Sequence, residues 1–268
     1  MLKVKRFRFI EEGLAGDAFY ERGRQDFAGV AVYLYGLPSF PASNPVTVAL
    51  VAAGFIAIQP HYFGTYDSEG EFSPTSMVAT LEAVGRSVLQ GRLIQAKDGT
   101  PFEIPRTVSV CVGHSFGCAA ALRGFHKLPG VTTLVLLAPA AHYGQGEEDY
   151  GVRDVGLDDL EYVRTSHPHT YRLAPASEWA EILMGKDPLP TAPQPSSLRN
   201  VWAVIGDEDT YFDLPVAKER MPRLLEAYCG SQTARQLVVL PGCGHPVAEL
   251  LSNDGGFNLI SHVAALAR

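Results

Sequence analysis

The strongest constraint on the fold lies between Thr107 and Leu122, which reads TVSVCVGHSFGCAAAL. Val108 to Val112 is a short β-branched run of the kind found in strands covered on both faces, and such strands belong to parallel sheets. It meets Gly113-His114-Ser115-Phe116-Gly117 without a spacer, and a run of small, helix-favouring residues follows at once. The pentapeptide alone recurs by chance in glycine-rich chains. Its context carries the weight, because a nucleophile elbow needs a strand before the serine, a tight turn at it and a helix after it. Small side chains let that helix lie close to the sheet, and the flanking glycines relieve crowding around a strained turn. Ser115 is therefore the first candidate nucleophile.

The rest of the chain alternates strand and helix signals around this unit. Leu2 to Ile10 and, more weakly, Ala18 to Arg22 show period-two patterning and read as an antiparallel edge hairpin. Strands are expected at Val30–Tyr35, Phe55–Gln59, Thr107–Val112, Thr132–Leu137, Val201–Ile205 and Gln236–Leu240. Helices are expected from Pro45 to Gly54, from Ser73-Pro74 to about Gln90, after the elbow to about Leu128, over Pro215–Cys229 and within Val247–Ala267. Arg92 to Pro105 reads as a surface excursion. This alternation implies a mostly parallel sheet with helices on both faces. One segment breaks it: residues 142–198 are acidic at first and Pro-rich at the end. A long non-core segment in such a domain is functional or a lid, and it reads as a small lid inserted over the site.

Bulk properties narrow the partners. The net charge of −7 argues against nucleic acid or an anionic membrane surface. No apolar run approaches the ~20 residues a membrane span needs. Cys111, Cys118, Cys229 and Cys243 show neither paired nor zinc-type spacing, which fits free thiols in a reducing compartment. The N-terminus lacks the apolar core of a signal peptide, so the expectation is a cytoplasmic protein.

On these motifs, in this order, nearly the whole chain resembles the α/β-hydrolases. The resemblance implies a single domain over residues 1–268, with an eight-stranded, mostly parallel sheet whose first pair is antiparallel. Eight candidate strands are present, and the GHSFG elbow follows the fifth. The loop HYFGTYDSEGEFSP is similar to the loop after the fourth strand in the esterase-like, lid-bearing branch. The family's triad runs serine, acid, histidine along the chain. The acid is implied after the seventh strand, in VWAVIGDEDTYF, where Asp209 fits the family spacing and Asp207 is the competitor. The base is implied after the eighth strand, in LPGCGHPVAEL, at His245. The oxyanion hole is implied at the backbone N–H groups of Phe116 and of Leu37, in YLYGLPSF. Pro38 has no N–H to offer. The family often has His-Gly in this loop, where this chain has Tyr35-Gly36.

Pocket candidates are His61 and Tyr62 at the end of the fourth strand, His114 in the elbow and Tyr143 in the lid. Other aromatics there, including Tyr66, Tyr162 and Trp179, could join them. His167 and His169 lack further ligands at metal-site spacing, so neither metal nor cofactor is expected. His126 and His262 read as structural. The resemblance implies a two-step acyl transfer on a small-molecule acyl substrate, through a Ser115 acyl-enzyme. The short lid favours a modest carboxylic ester, and the acidic lid hints at a cationic substrate. A thioesterase or acyltransferase, a peptidase, a lyase and a non-catalytic binder on the same fold remain alternatives. A dehalogenase is not, because its nucleophile would be Asp.

Overall fold

The computed structural model describes residues 2–139, 157–183, 197–229, 233–251 and 257–264. Ten strands run in chain order: β1 (Val4–Glu11), β2 (Leu14–Glu21), β3 (Val30–Leu34), β4 (Ile56–Pro60), β5 (Arg92–Ile94), β6 (Pro101–Glu103), β7 (Val108–His114), β8 (Thr133–Leu137), β9 (Asn200–Gly206) and β10 (Ala234–Leu240). Eight of them form one sheet in the order β1-β2-β4-β3-β7-β8-β9-β10. β2 pairs antiparallel with β1 and with β4, and the remaining pairings are parallel. The eight expected strands are these eight.

The helices are α1 (Pro45–Ala52), α2 (Pro74–Gln90), α3 (Gly117–Gly124), α4 (Leu157–Ser166), α5 (Ala176–Leu183), α6 (Leu214–Cys229), α7 (Val247–Leu250) and α8 (Leu259–Ala264). Local chemistry sets their ends. Asn44 and Thr47 form a reciprocal cap on α1, Ser73 and Ser76 form one on α2, and each helix has proline in its first turn. Gly91 closes α2 at φ 76°, a conformation glycine enters without a Cβ penalty. The helix after the elbow ends at Gly124 and passes into a short 3₁₀ turn, Phe125–Lys127. β3, β4 and β8 are buried along their whole length, as a sheet covered on both faces requires.

Three expectations need revision. Arg92–Pro105 is not a plain surface excursion, because β5 and β6 pair as an antiparallel hairpin. Leu93 is buried, and the Phe102 ring packs 4.8 Å from Phe7 and 4.9 Å from Tyr20. The hairpin covers apolar residues that the β1–β2 ribbon would otherwise expose. β2 begins at Leu14 rather than Ala18. Gly16 and Asp17 hide this start, being poor strand formers. Gly16 is needed because a Cβ there would lie 2.4 Å from the Phe9 ring. The C-terminal segment holds two short helices, α7 and α8. Of the expected lid, α4, α5 and the stretch between them are described; 142–156, with Tyr143, and 184–196 lie outside the described residues. Among the described residues no helix is long and apolar enough to cross a membrane.

Asp17 is the exceptional buried charge of the sheet. Its carboxylate accepts from Arg6 Nη2 at 2.8 Å and Arg8 Nε at 2.8 Å, and lies 3.4 Å from His61 Nε2. Burial alone would raise its pKa, but the bonds to His61, Arg8 and Arg6 outweigh burial and hold it well below the usual carboxylate range. A depressed native value means stability that is full above the unfolded value of about 4 and is lost as pH falls below it. We therefore expect Asp17→Asn to destabilise by about 3 kcal/mol at pH 7, the low end for a broken buried pair because the arginines can re-solvate. The deficit against wild type should shrink below about pH 4. Urea unfolding from pH 3 to 8 measures both; equal stability of the two proteins at pH 7 would refute the assignment.

Candidate active site

Four loops at the C-terminal ends of parallel strands converge on Ser115. Ser115 sits between β7 and α3 with φ 53°, the left-handed region that costs a side-chain-bearing residue strain. Its N–H donates to Leu137 O at 2.9 Å, and its C=O accepts from Cys118 N at 2.9 Å, so both ends of the turn are tied. Glycine is obligatory beside it. A Cβ on Gly117 would lie 2.2 Å from Leu34 O, and one on Gly113 would lie 2.7 Å from Cys118 Cα. The two glycines let α3 start against the ends of β3 and β7.

Asp209 and His245 arrive from the loops after β9 and β10. Gly206 ends β9, and a Cβ there would lie 2.0 Å from Cys243 O. Its absence lets the loop after β10 lie on the loop after β9. His245 Nδ1 is then 2.8 Å from Asp209 Oδ2, and His245 Nε2 is 2.8 Å from Ser115 Oγ. The Asp209 carboxylate is fully buried, and its Oδ1 accepts from Tyr211 N at 3.0 Å. An imidazole held between a buried carboxylate and a serine hydroxyl can take the hydroxyl proton and return it to another atom. Asp207 lies elsewhere: its Oδ1 accepts from Gly242 N at 2.7 Å and ties the two loops together.

His114 makes its hydrogen bond to the loop after β10. Its Nε2 donates to the backbone O of His245 at 3.1 Å, and it thereby supports the loop that carries His245. Burial pushes its pKa down to about 4. Tyr211 was missed by sequence reasoning; its ring lies 4.5 Å from the His245 ring. The one available signal was its place two residues after the candidate acid.

Phe116 follows Ser115, and its side chain is buried against Phe72 and Trp179. Leu37 lies in the loop after β3, where Gly36 approaches the serine so closely that a Cβ would sit 2.8 Å from Ser115 Cβ. Among the described residues, neither the Phe116 nor the Leu37 N–H has a hydrogen-bond acceptor. His61 and Tyr62, named from sequence as pocket residues, have no accessible surface. His61 belongs to the Asp17 cluster, and the Tyr62 hydroxyl donates to Tyr35 O at 3.0 Å. Among the described residues no group of three His, Cys, Asp or Glu could hold a metal ion.

A family model described as "Alpha/beta hydrolase family" matches residues 15–255. Among solved structures, a fungal esterase from Rhizomucor miehei aligns with 99% of this chain and 84% of its own, at 18% identity and a TM-score of 0.59. The Pyrococcus furiosus esterase Pf2001 aligns with 99% and 90%, at 13% identity and 0.58. The Bacillus subtilis carboxylesterase CesB aligns with 92% and 87%, at 15% identity and 0.52. A search of curated proteins gives no match.

The buried environment of His114 makes a direct prediction. It should stay neutral through pH 5–8 and titrate near 4. Its native value lies below the unfolded ~6.5, so its contribution to stability is full above that pH and falls as pH drops towards 4. Histidine nitrogen chemical shifts across pH 3–8 report this; a His114 resonance titrating at or above 6.5 would contradict it.

Proposed function

The chain belongs to the alpha/beta hydrolase family, and on that premise we propose that it is a serine hydrolase that cleaves a carboxylic ester through a Ser115 acyl-enzyme. The observation that carries this reading is the unbroken chain Asp209–His245–Ser115, two 2.8 Å contacts ending on a serine in strained backbone. A structural serine needs neither the strain nor a buried carboxylate two bonds behind it.

The steps follow from these positions. Ser115 Oγ attacks the substrate carbonyl carbon while His245 Nε2 takes the hydroxyl proton. The resulting imidazolium is stabilised by Asp209, which also fixes the tautomer that leaves Nε2 free to accept. Negative charge gathers on the former carbonyl oxygen, and the N–H groups of Phe116 and Leu37 hold it. His245 returns the proton to the leaving oxygen as the C–O bond breaks. Water, deprotonated by the same nitrogen, then attacks the acyl carbon and releases Ser115.

The rings of Phe72, Phe116 and Trp179 pack on one another in the core beside the elbow. The names of the solved relatives support an ester over a thioester or amide. Free thiols at Cys111, Cys118 and Cys243 support a reducing, cytoplasmic setting. The net charge of −7 supports a small-molecule substrate over nucleic acid.

Mass spectrometry after incubation with a fluorophosphonate should find one adduct, on Ser115, and none in Ser115→Ala. With 4-nitrophenyl esters, Ser115→Ala should lower kcat by about 10⁶-fold and Asp209→Asn by about 10⁴-fold. Asp207→Asn should stay within about tenfold of wild type, because it touches only loop backbone. Full turnover in Ser115→Ala would end the proposal.

A further inference from the structure

The loop after β3 is held at both ends by phenol hydroxyls from elsewhere in the chain. At its start, Tyr62 donates to Tyr35 O at 3.0 Å. At its end, Ser39 is bracketed. Its N–H donates to the Tyr171 hydroxyl at 2.9 Å, and its C=O accepts from Tyr171 at 2.8 Å and also from Tyr66. The Tyr66 and Tyr171 hydroxyls lie 3.3 Å apart. Only Gly36, Leu37 and Pro38 remain between the pinned points. Pro38 has no N–H and the Ser39 N–H is occupied by Tyr171, so Leu37 presents the loop's next donor after Gly36.

Tyr171 comes from the inserted segment, and that segment is firmly docked. Tyr66 N donates to Thr170 O at 2.8 Å, Arg172 N to Gly64 O at 2.8 Å, Phe72 N to Arg172 O at 2.7 Å and Ala174 N to Phe72 O at 2.9 Å. The Arg172 guanidinium closes the joint, donating to Gly70 O at 3.0 Å, to Tyr66 O at 3.1 Å and to Ser68 O. Gly64 permits the fold of this loop, since a Cβ there would lie 1.9 Å from Phe72 N. The stretch from Thr170 to Ala174 is thus a strut laid along the loop after β4, and Tyr171 is its tip.

We propose that Tyr171, with Tyr66, is a positioning residue that sets the direction of the Leu37 N–H by fixing Ser39, so that the insertion completes the oxyanion site rather than only covering it. The inference rests on the serine-hydrolase reading above. Backbone donors act only when aimed at the point where charge develops, and a misplacement of about 1 Å costs on the order of 100-fold. Burial pushes both phenols up, so both remain donors at any working pH. Neither hydroxyl touches the substrate in this scheme; their effect passes through the loop backbone.

Tyr171→Phe removes the hydroxyl and keeps the ring packing. The test measures 4-nitrophenyl butyrate turnover per active site titrated with a fluorophosphonate, together with inhibition by a trifluoromethyl ketone that forms an oxyanion on Ser115. We expect kcat per titrated site to fall about 10- to 100-fold with KM within about twofold. Ketone affinity should fall in proportion to kcat, and the less buried Tyr66→Phe should show a smaller loss of the same kind. Should Tyr171→Phe not fold, Tyr66→Phe decides alone. An unchanged kcat per titrated site, with only a lower melting temperature, would overturn the inference and leave the serine-hydrolase reading intact. A rise in KM alone would overturn it as well. No adduct on folded wild-type Ser115 would overturn that reading and this inference together.

Discussion

The structure depends on the contact between Gly117 and the end of β3. With Leu34 O only 2.2 Å from where a Cβ would stand, no other residue lets α3 begin there. That contact fixes where the helix starts, and Ser115, in the turn that joins β7 to it, stands at φ 53°. The strain is local, but what opposes it is not. The Ser115 N–H is held by β8, its C=O by α3, and its Cβ rests near Gly36 in the next loop. Three separate elements over-determine one unfavourable residue, which is the condition under which such strain persists.

Parallel strand order does the rest of the placement. Because β3, β7, β8, β9 and β10 all run one way, their following loops share an edge, and groups far apart in sequence meet there. The loop contacts that refine this meeting are mostly backbone to side chain and modest singly. Asp207 ties one loop to Gly242, Glu249 ties Gly244 at 2.7 Å, and His114 holds the His245 carbonyl. Each of these side chains would read on its own as a solvated polar residue.

This explains what could be seen in advance. The eight strands of the main sheet and the helices α1, α2 and α6 were legible, because apolar runs, Pro-first caps and terminal glycines are local signals. Ser115 was legible for the same reason. Asp209 and His245 were reached only through resemblance and chain order, and the ordering of Asp209 over Asp207 rested on spacing. What escaped was long-range. The β5–β6 hairpin is stabilised by packing of Phe102 on Phe7 and Tyr20, which lie in the first two strands of the chain. The early start of β2 depends on arginines in another strand. The grip of Tyr171 on Ser39 spans 132 residues and leaves no trace in either local sequence. His61 looked like a pocket residue because it follows a strand, but its partner is Asp17, 44 residues back.

The spacing of the Ser115–His245 contact has a bearing on how the chain matures. The two residues are 130 apart, and the second follows the last strand of the sheet. Their bond can close only after β9 and β10 have joined the edge begun by β7 and β8 and the β10 loop has settled on Gly206. Under the proposed mechanism, reactivity at Ser115 would therefore report that final docking step, and a partly assembled chain would be silent towards esters.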